Sequence, residues 1–406
     1  MRNYRKIAIC LSLMLFAMDL AALDQGPRLA EIYKTGRVRL VEEVRITDSQ
    51  LPKNVLFENP RGLAVAANGN VYMADSGANH IKVFGPDGKF LHTLGQGGQG
   101  PGDLGWPDNL EIAGDLIIVR EVMNRRISIM KQDGTFVRSA PFSPEDSFGG
   151  LYNLKSLRDG RLVVLVERGL PKNFSGRLPE DRELAIELIT ADLEETRVIY
   201  EKKIRAGRWA RNPETNAMTR VRFPYHPTIR LGVDPSGRLA IGDNAKYEIE
   251  IYDPDKGRIL TFSHPYTPVK LEEKDKKAFF DAFKMAVFVG NVKKILPKPP
   301  DYIVQLTEFP EFLPPYRGLI FDSEGNLWVH LYTQSRATNV FDVFSPQGEF
   351  IHQIIVEGPP IDAWFTSSLN KCFAGNVLWQ IERDEDEFAS LVKYRLTSGS
   401  AGEEHD

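Results

Sequence analysis

Four charged residues, Arg61, Asp108, Arg230 and Arg317, each stand at the head of a short strand-like run that ends in a glycine turn. Side chains sharing that position converge if the runs lie side by side. Guanidiniums brought together at a cavity hold a carboxylate or phosphate through paired N–H donors. The commoner use of arginine is a surface ion pair, here with Asp108 or a neighbouring acid. His226, from a basic and aromatic stretch, and His330, close to the register of a second, acidic set, complete a candidate ligand-binding set of Arg61, Asp108, His226, Arg230, Arg317 and His330. The residue types assign no catalytic role within it.

A second set, Asp75, Glu121, Glu167, Asp243 and Glu382, closes apolar runs at matching points. A ring of carboxylates suits calcium or supplies acid and base groups. Asp75 and Asp243 each also open a short polar loop, Asp-Ser-Gly and Asp-Asn-Ala, where the ordinary use is an Asx turn. Calcium is therefore the one cofactor in view, and no metal ligands are assigned. The chain has no His-Glu-x-x-His, Cys-x-x-Cys, Gly-x-Ser-x-Gly or Gly-Lys-Ser/Thr motif, and its 7 histidines are scattered.

Basic and aromatic residues interleave in a third region: Lys202, Lys203, Arg205, Arg208, Arg211, Arg220, Arg222 and Arg230 with Trp209, Phe223, Tyr225 and His226, opposed only by Glu201 and Glu214. Such a stretch suits an anionic or sugar-like ligand, and it reads equally as a solvated surface loop.

The elements that must position these residues are read from glycine spacing. The turns at Gly69, Gly114, Gly160, Gly237, Gly325 and Gly375 are each flanked by short apolar β-formers, as a two-strand turn with positive φ requires. A second turn follows most of them after about 20 residues, at Gly88, Gly134, Gly257 and Gly348, with Leu193-Glu194 expected in the same role in the third unit. Each unit is thus four strands, A to D. Six such units predict an all-β fold, a six-bladed β-propeller spanning residues 38–397. The last unit has room for only three strands, and Val38 to Ile46 is expected to supply the fourth, closing the ring.

Gly62 to Gly95, GLAVAANGNVYMADSGANHIKVFGPDGKFLHTLG, resembles an NHL repeat, and Gly97 to Asn109 resembles the glycine-rich link between two of them. The family's Asn-x-Arg-Ile signature survives as Asn124-Arg125-Arg126-Ile127, whereas the first unit has Asn79-His80-Ile81. The resemblance covers about two units and the rest keep only the turns and the apolar pattern, as in divergent six-bladed propellers of exported bacterial proteins. It implies a six-bladed propeller with a binding role and leaves open protein, RNA or lyase chemistry.

Departures from regular spacing locate insertions at residues 168–182, 205–225 and 268–312, of about 14, 17 and 42 extra residues. All fall on B–C or D–A connections, hence on one face of the disc. Long loops on a rigid scaffold carry recognition, so function is expected on that face. The longest insertion is expected to hold a helix over Leu271 to Val289, with Phe279, Phe280, Phe283, Ala286 and Val287 on one stripe, either a lid over the channel mouth or a packed structural helix.

Arg2, Arg5 and Lys6 followed by the apolar run Ile7 to Met18 read as a signal peptide over residues 1–22, with tails at 23–37 and 398–406. Export would leave Cys372 as the one cysteine, no transmembrane segment, and a periplasmic or extracellular protein. With 51 Lys+Arg against 55 Asp+Glu and a net charge of -4, no nucleic-acid partner is expected. A binding module for a protein or a small anionic or carbohydrate ligand is the favoured function. The competing one is an enzyme, a gluconolactonase-like hydrolase or a lyase, with a divalent metal at the channel mouth.

Overall fold

The structure is a computed structural model that describes residues 29–141, 151–168, 181–205, 207–213, 218–281, 285–289, 292–296, 298–333, 339–359 and 370–399. The proposed signal, most of the 168–182 insertion and all but the start of the C-terminal tail lie outside these residues.

A short helix α1 (Leu29–Tyr33) leads into β1 (Arg37–Ile46). Four strands follow, β2 (Pro60–Val65), β3 (Val71–Asp75), β4 (His80–Phe84) and β5 (Phe90–Leu94), paired antiparallel in chain order. The same meander recurs as β6 (Pro107–Ala113), β7 (Leu116–Glu121), β8 (Arg126–Lys131) and β9 (Phe136–Pro141), and as β10 (Leu151–Ser156), β11 (Leu162–Arg168), β12 (Asp181–Ile189) and β13 (Thr196–Arg205). A hairpin of β14 (Gly207–Arg211) and β15 (Met218–Arg222) precedes the fourth meander, β16 (Ile229–Val233), β17 (Leu239–Asp243), β18 (Glu248–Asp253) and β19 (Gly257–Ser263). Helix α2 (Glu273–Asp281), the hairpin β20 (Met285–Val289) and β21 (Val292–Leu296), and helix α3 (Asp301–Leu306) form the long insertion.

The remaining strands are β22 (Tyr316–Phe321), β23 (Leu327–Leu331), β24 (Asn339–Phe344), β25 (Phe350–Glu357), β26 (Lys371–Ala374), β27 (Val377–Arg383) and β28 (Ala389–Ser398). They join β1 in one eight-stranded sheet of order β22-β23-β24-β25-β1-β28-β27-β26. Within it β1 pairs antiparallel with β28 from Val38↔Ser398 to Ile46↔Leu391, and only Arg37 to Arg39 run parallel to β25.

The turn glycines explain the meanders. All those named from the sequence have positive φ, from 61° at Gly375 to 93° at Gly237. In the third sheet that place is held by Leu193, at φ 65°, whose N–H donates to Thr190 O. A non-glycine residue there carries strain of about 1 kcal/mol, and Leu193 packs against the neighbouring core cluster.

The core lies between sheets. One cluster joins Ala64, Tyr72 and Val83 of the first sheet to Leu110, Val119 and Met130 of the second. Others join the second to the third, the third to the fourth, and the fourth to β22–β24. A further cluster joins Trp379 and Leu391 to Leu63 and Met73 of the first sheet through Ile46 of β1. Strand B is buried end to end, as in Val71–Asp75, while the outermost strand alternates, as in Phe136–Pro141. Stacked four-stranded meanders with buried middles and wet outer strands define a β-propeller.

Two sequence expectations change. The stretch before β1, read as a tail, folds back: Leu29, Ile32 and Tyr33 are buried. The Tyr33 hydroxyl donates to Asp322 at 2.7 Å and accepts from Trp328 Nε1 at 3.2 Å. An amphipathic turn this apolar has more to gain from covering the sheet than from water. The helix expected over 271–289 ends at Asp281, and Met285–Val289 is a strand. The β-branched and aromatic run Val287-Phe288-Val289, followed by Gly290-Asn291, favours a two-residue hairpin over another helical turn. Among the described residues no helix is long and apolar enough to cross a membrane.

Candidate functional site

Four innermost strands begin with the same irregularity. The pairing with the next strand slips between Pro60 and Gly62, Pro107 and Asn109, Leu151 and Asn153, and Tyr316 and Gly318. The extra residue is Arg61, Asp108, Tyr152 or Arg317. A bulge frees its extra residue from strict alternation and re-aims it. Three of the six sequence-selected residues therefore share a backbone device. Arg230 sits at the corresponding place on a regular strand, opposite Gly242.

The structure brings Arg230, Arg317 and His330 together. Arg317 Nε donates to His330 Nε2 at 3.1 Å, and a second guanidinium nitrogen lies 2.6 Å from it. His330 is fully buried and stacked on Phe341, with ring centroids 4.3 Å apart. Burial first, then the charges of Arg317 and Lys371, hold its pKa well below the ordinary histidine value. The ring is neutral, accepts at Nε2 and so carries its proton on Nδ1, which has no hydrogen-bond partner among the described residues. The Arg317 guanidinium lies 5.8 Å from the centre of the Tyr332 ring. Tyr332 is also the hydrogen-bonding neighbour of Arg230, a guanidinium whose pKa burial lowers against the opposing pull of Tyr332 and Tyr316. Arg230, Tyr332, Arg317 and His330 thus neighbour one another at the heads of β16 and β22, with the charge of Lys371 on β26 felt at His330.

Lys371 and Tyr332 were missed by sequence reasoning. Lys371 heads its innermost strand as Arg317 does, but β26 has only 4 residues, so counting back from Gly375 by the usual length overshoots it. Tyr332 lies two residues beyond His330 and carries no motif.

The other selected residues lie elsewhere. Asp108 is paired with Arg120, whose Nε donates to it at 2.6 Å. Arg61 is exposed. His226 stacks obliquely on Phe223 at 5.4 Å, and burial, with Arg205 nearby, lowers its pKa. Its neighbour Tyr225 is 6.1 Å from Tyr332, so it borders the cluster without entering it.

The basic stretch is largely spoken for. Arg205 and Arg208 both pair with Glu308 of the long insertion and lie over the Phe223 ring at 5.4 and 5.3 Å. Lys202 pairs with Asp243. The side chains of Trp209, Arg220 and Arg222 lie outside the described set. Helix α2 reaches the same place through Phe279, whose ring is 6.3 Å from Tyr225 and 5.7 Å from Phe309. The two insertions therefore brace each other beside the Arg317 cluster.

Three of the five carboxylates, Asp75, Glu121 and Glu382, are held mainly by residues of their own sheets or of the loops that adjoin them. Asp75 accepts from Glu58 N at 3.0 Å, Asn59 N at 2.7 Å and Lys82 Nζ at 2.6 Å, with both charged side chains fully buried. Glu121 accepts from Gly105 N at 2.9 Å, from Ser128, and from Asn124 and Arg126. The Asn-x-Arg-Ile signature is thus a clamp on one buried acid. Glu382 accepts from Tyr394 at 2.6 Å and Arg45 at 3.0 Å. Among the described residues no three His, Cys, Asp or Glu side chains are grouped to hold a metal.

Taken with known proteins, the chain is a β-propeller by fold. An NHL repeat model matches residues 57–84, and the chain is an NHL-like β-propeller. It is 31% identical over 85 residues to Protein brain tumor of Drosophila melanogaster, a match covering 20% of this chain and 8% of that one. The chain therefore spans less than a tenth of that relative. A crystal structure of a DUF4221 family member from Bacteroides vulgatus superposes with a TM-score of 0.50 at 12% identity, covering 89% of this chain and 99% of that one. This likeness concerns the fold alone. A virginiamycin B lyase structure from Staphylococcus aureus gives a TM-score of 0.42 at 14% identity, covering 89% and 99%.

Proposed function

We propose that this protein is an exported, six-bladed propeller that binds an anionic ligand, a small carboxylate or phosphate or an acidic group of a protein partner, on the face that carries the long connections. One observation carries the reading. Arg230, Arg317 and Lys371 head the innermost strands of three successive blades and are linked through Tyr332 and neutral His330. The neutral imidazole orients the Arg317 guanidinium, and three cationic side chains gathered at one level of the fold favour an anion.

Six blades and closure by the N-terminal strand are part of the proposal. Support comes from the pairing of β1 with β28 and from the cluster that joins Trp379, Ile46 and Met73. Deleting residues 37–46 should abolish cooperative unfolding; a soluble variant with a sharp melt would overturn closure. Export rests on the Arg2, Arg5, Lys6 and Ile7 to Met18 segment, and fractionation of a tagged full chain tests it.

The binding reading is tested by thermal shift and calorimetry with acetate, citrate, phosphate and glucuronate. At least one should stabilise the protein, with the effect lost in the Arg230→Ala, Arg317→Ala double variant. No shift with any anion, or a shift that survives the double variant, would sink it.

A further inference from the structure

A second site, which shares only the wall residue Tyr332 with the Arg317 cluster, lies beside it. A cavity of about 480 Å³ opens between the start and end of the long insertion and the flank of β23, β24 and β25. Tyr266, Pro314, Pro315 and Tyr332 wall it, and Asp342 and Gln353 form its polar side. Its size falls in the range of small-molecule pockets.

Asp342 is the unusual member. It is 1% exposed, yet its two oxygens accept only from neutral groups, the Tyr247 hydroxyl at 2.6 Å and Gln353 Nε2 at 2.9 Å. Asp75, by contrast, has Lys82 against it, Glu121 has Arg126, and Asp322 is held by the backbone N–H groups of Glu324 and Asn326. Among the described residues no cation pairs with Asp342. A buried carboxylate facing a cavity with two neutral donors is under-compensated, and a cation entering that cavity restores the balance. An aromatic wall strengthens the preference, since the exposed Tyr266 presents a ring surface that attracts an ammonium. Prolines and tyrosines also favour an apolar stem over a bare hydrated ion.

We infer that this cavity binds an organic ammonium, with the charged head at Asp342 and the apolar stem against Tyr266, Pro314 and Tyr332. The inference goes beyond the anion site: the ligand has the opposite charge, and the two sites share only Tyr332.

Three probes of one skeleton test it by calorimetry on the full chain: phenethylammonium, 2-phenylethanol and 3-phenylpropionate. The ammonium should bind at least tenfold more tightly than the alcohol and the carboxylate. Asp342→Asn should bring its affinity down to that of the alcohol. Should Asp342→Asn fail to fold, Thr267→Trp serves, because Thr267 is an exposed residue on the cavity rim whose enlargement blocks access while leaving the core alone. It should abolish ammonium binding. Equal affinity for ammonium and alcohol in the native protein, an unchanged preference in Asp342→Asn, or undiminished binding in Thr267→Trp would each overturn the inference. None of these outcomes depends on Arg230 or Arg317, so the anion site stands or falls separately.

Discussion

In the second blade Asp108 occupies the bulge of β6 and meets Arg120, the residue paired with Asn109 across the slip. In the eight-stranded sheet, Arg317 occupies the bulge of β22 and meets His330, paired with Gly318 at the same step. The backbone relation is identical and the chemistry differs. Asp108 and Arg120 neutralise each other with side chains only 13% and 9% exposed. Arg317 meets a neutral ring where Arg120 meets a carboxylate. A repeated fold thus offers the same two-residue seat at both bulges, and the side chains placed there decide whether it holds an ion pair or a guanidinium against a neutral ring.

The largest expected effect breaks the ion pair. Asp108→Ala leaves the nearly buried Arg120 without its carboxylate, and urea denaturation should register a loss of about 3 kcal/mol. A loss below about 1 kcal/mol would remove the contrast between the blades. The second converts one blade into the other. His330→Glu gives Arg317 an anionic partner, and anion affinity should fall at least tenfold while the fold persists by circular dichroism; retained affinity would separate binding from the charge of Arg317.

A smaller effect concerns acid. Histidines 80, 226 and 330 all have pKa values pushed down by burial. Below the ordinary value of about 6.5 the unfolded chain takes up protons that the native chain refuses, so stability is complete above that pH and lost as pH falls through it. Each histidine contributes up to about 1.4 kcal/mol per pH unit. His330→Gln should flatten the fall in Tm between pH 7 and 5 by one proton's share, and an unchanged slope would mean His330 charges freely. Least of all, Arg61→Ala at the exposed bulge of the first blade should shift stability by under about 0.5 kcal/mol. A larger cost would show that this seat, too, is occupied.

Much of this was legible beforehand because glycine turns report backbone need directly. Positive φ at Gly69, Gly88 and their equivalents is a local requirement, so counting them found the four-stranded units, and even Leu193 was placed by spacing. The candidate site was legible only in part. Arg317 and Arg230 could be aligned by distance from a turn, but the bulges that aim Arg61, Asp108 and Arg317 leave no mark in residue type. The basic stretch from Lys202 misled because the acid that answers it, Glu308, is about a hundred residues away.

The sequence by itself determined the periodic elements: turns and strand alternation follow from short-range sterics and hydrophobic spacing. The tertiary structure alone decided which charges meet. Whether a side chain is half of an ion pair, like Asp108 against Arg120, or rests on a neutral ring, like Arg317 against His330, depends on partners set across strands and sheets. So does the neutral surrounding of Asp342. Electrostatic balance is summed over neighbours in space, and a chain read in order does not contain that sum.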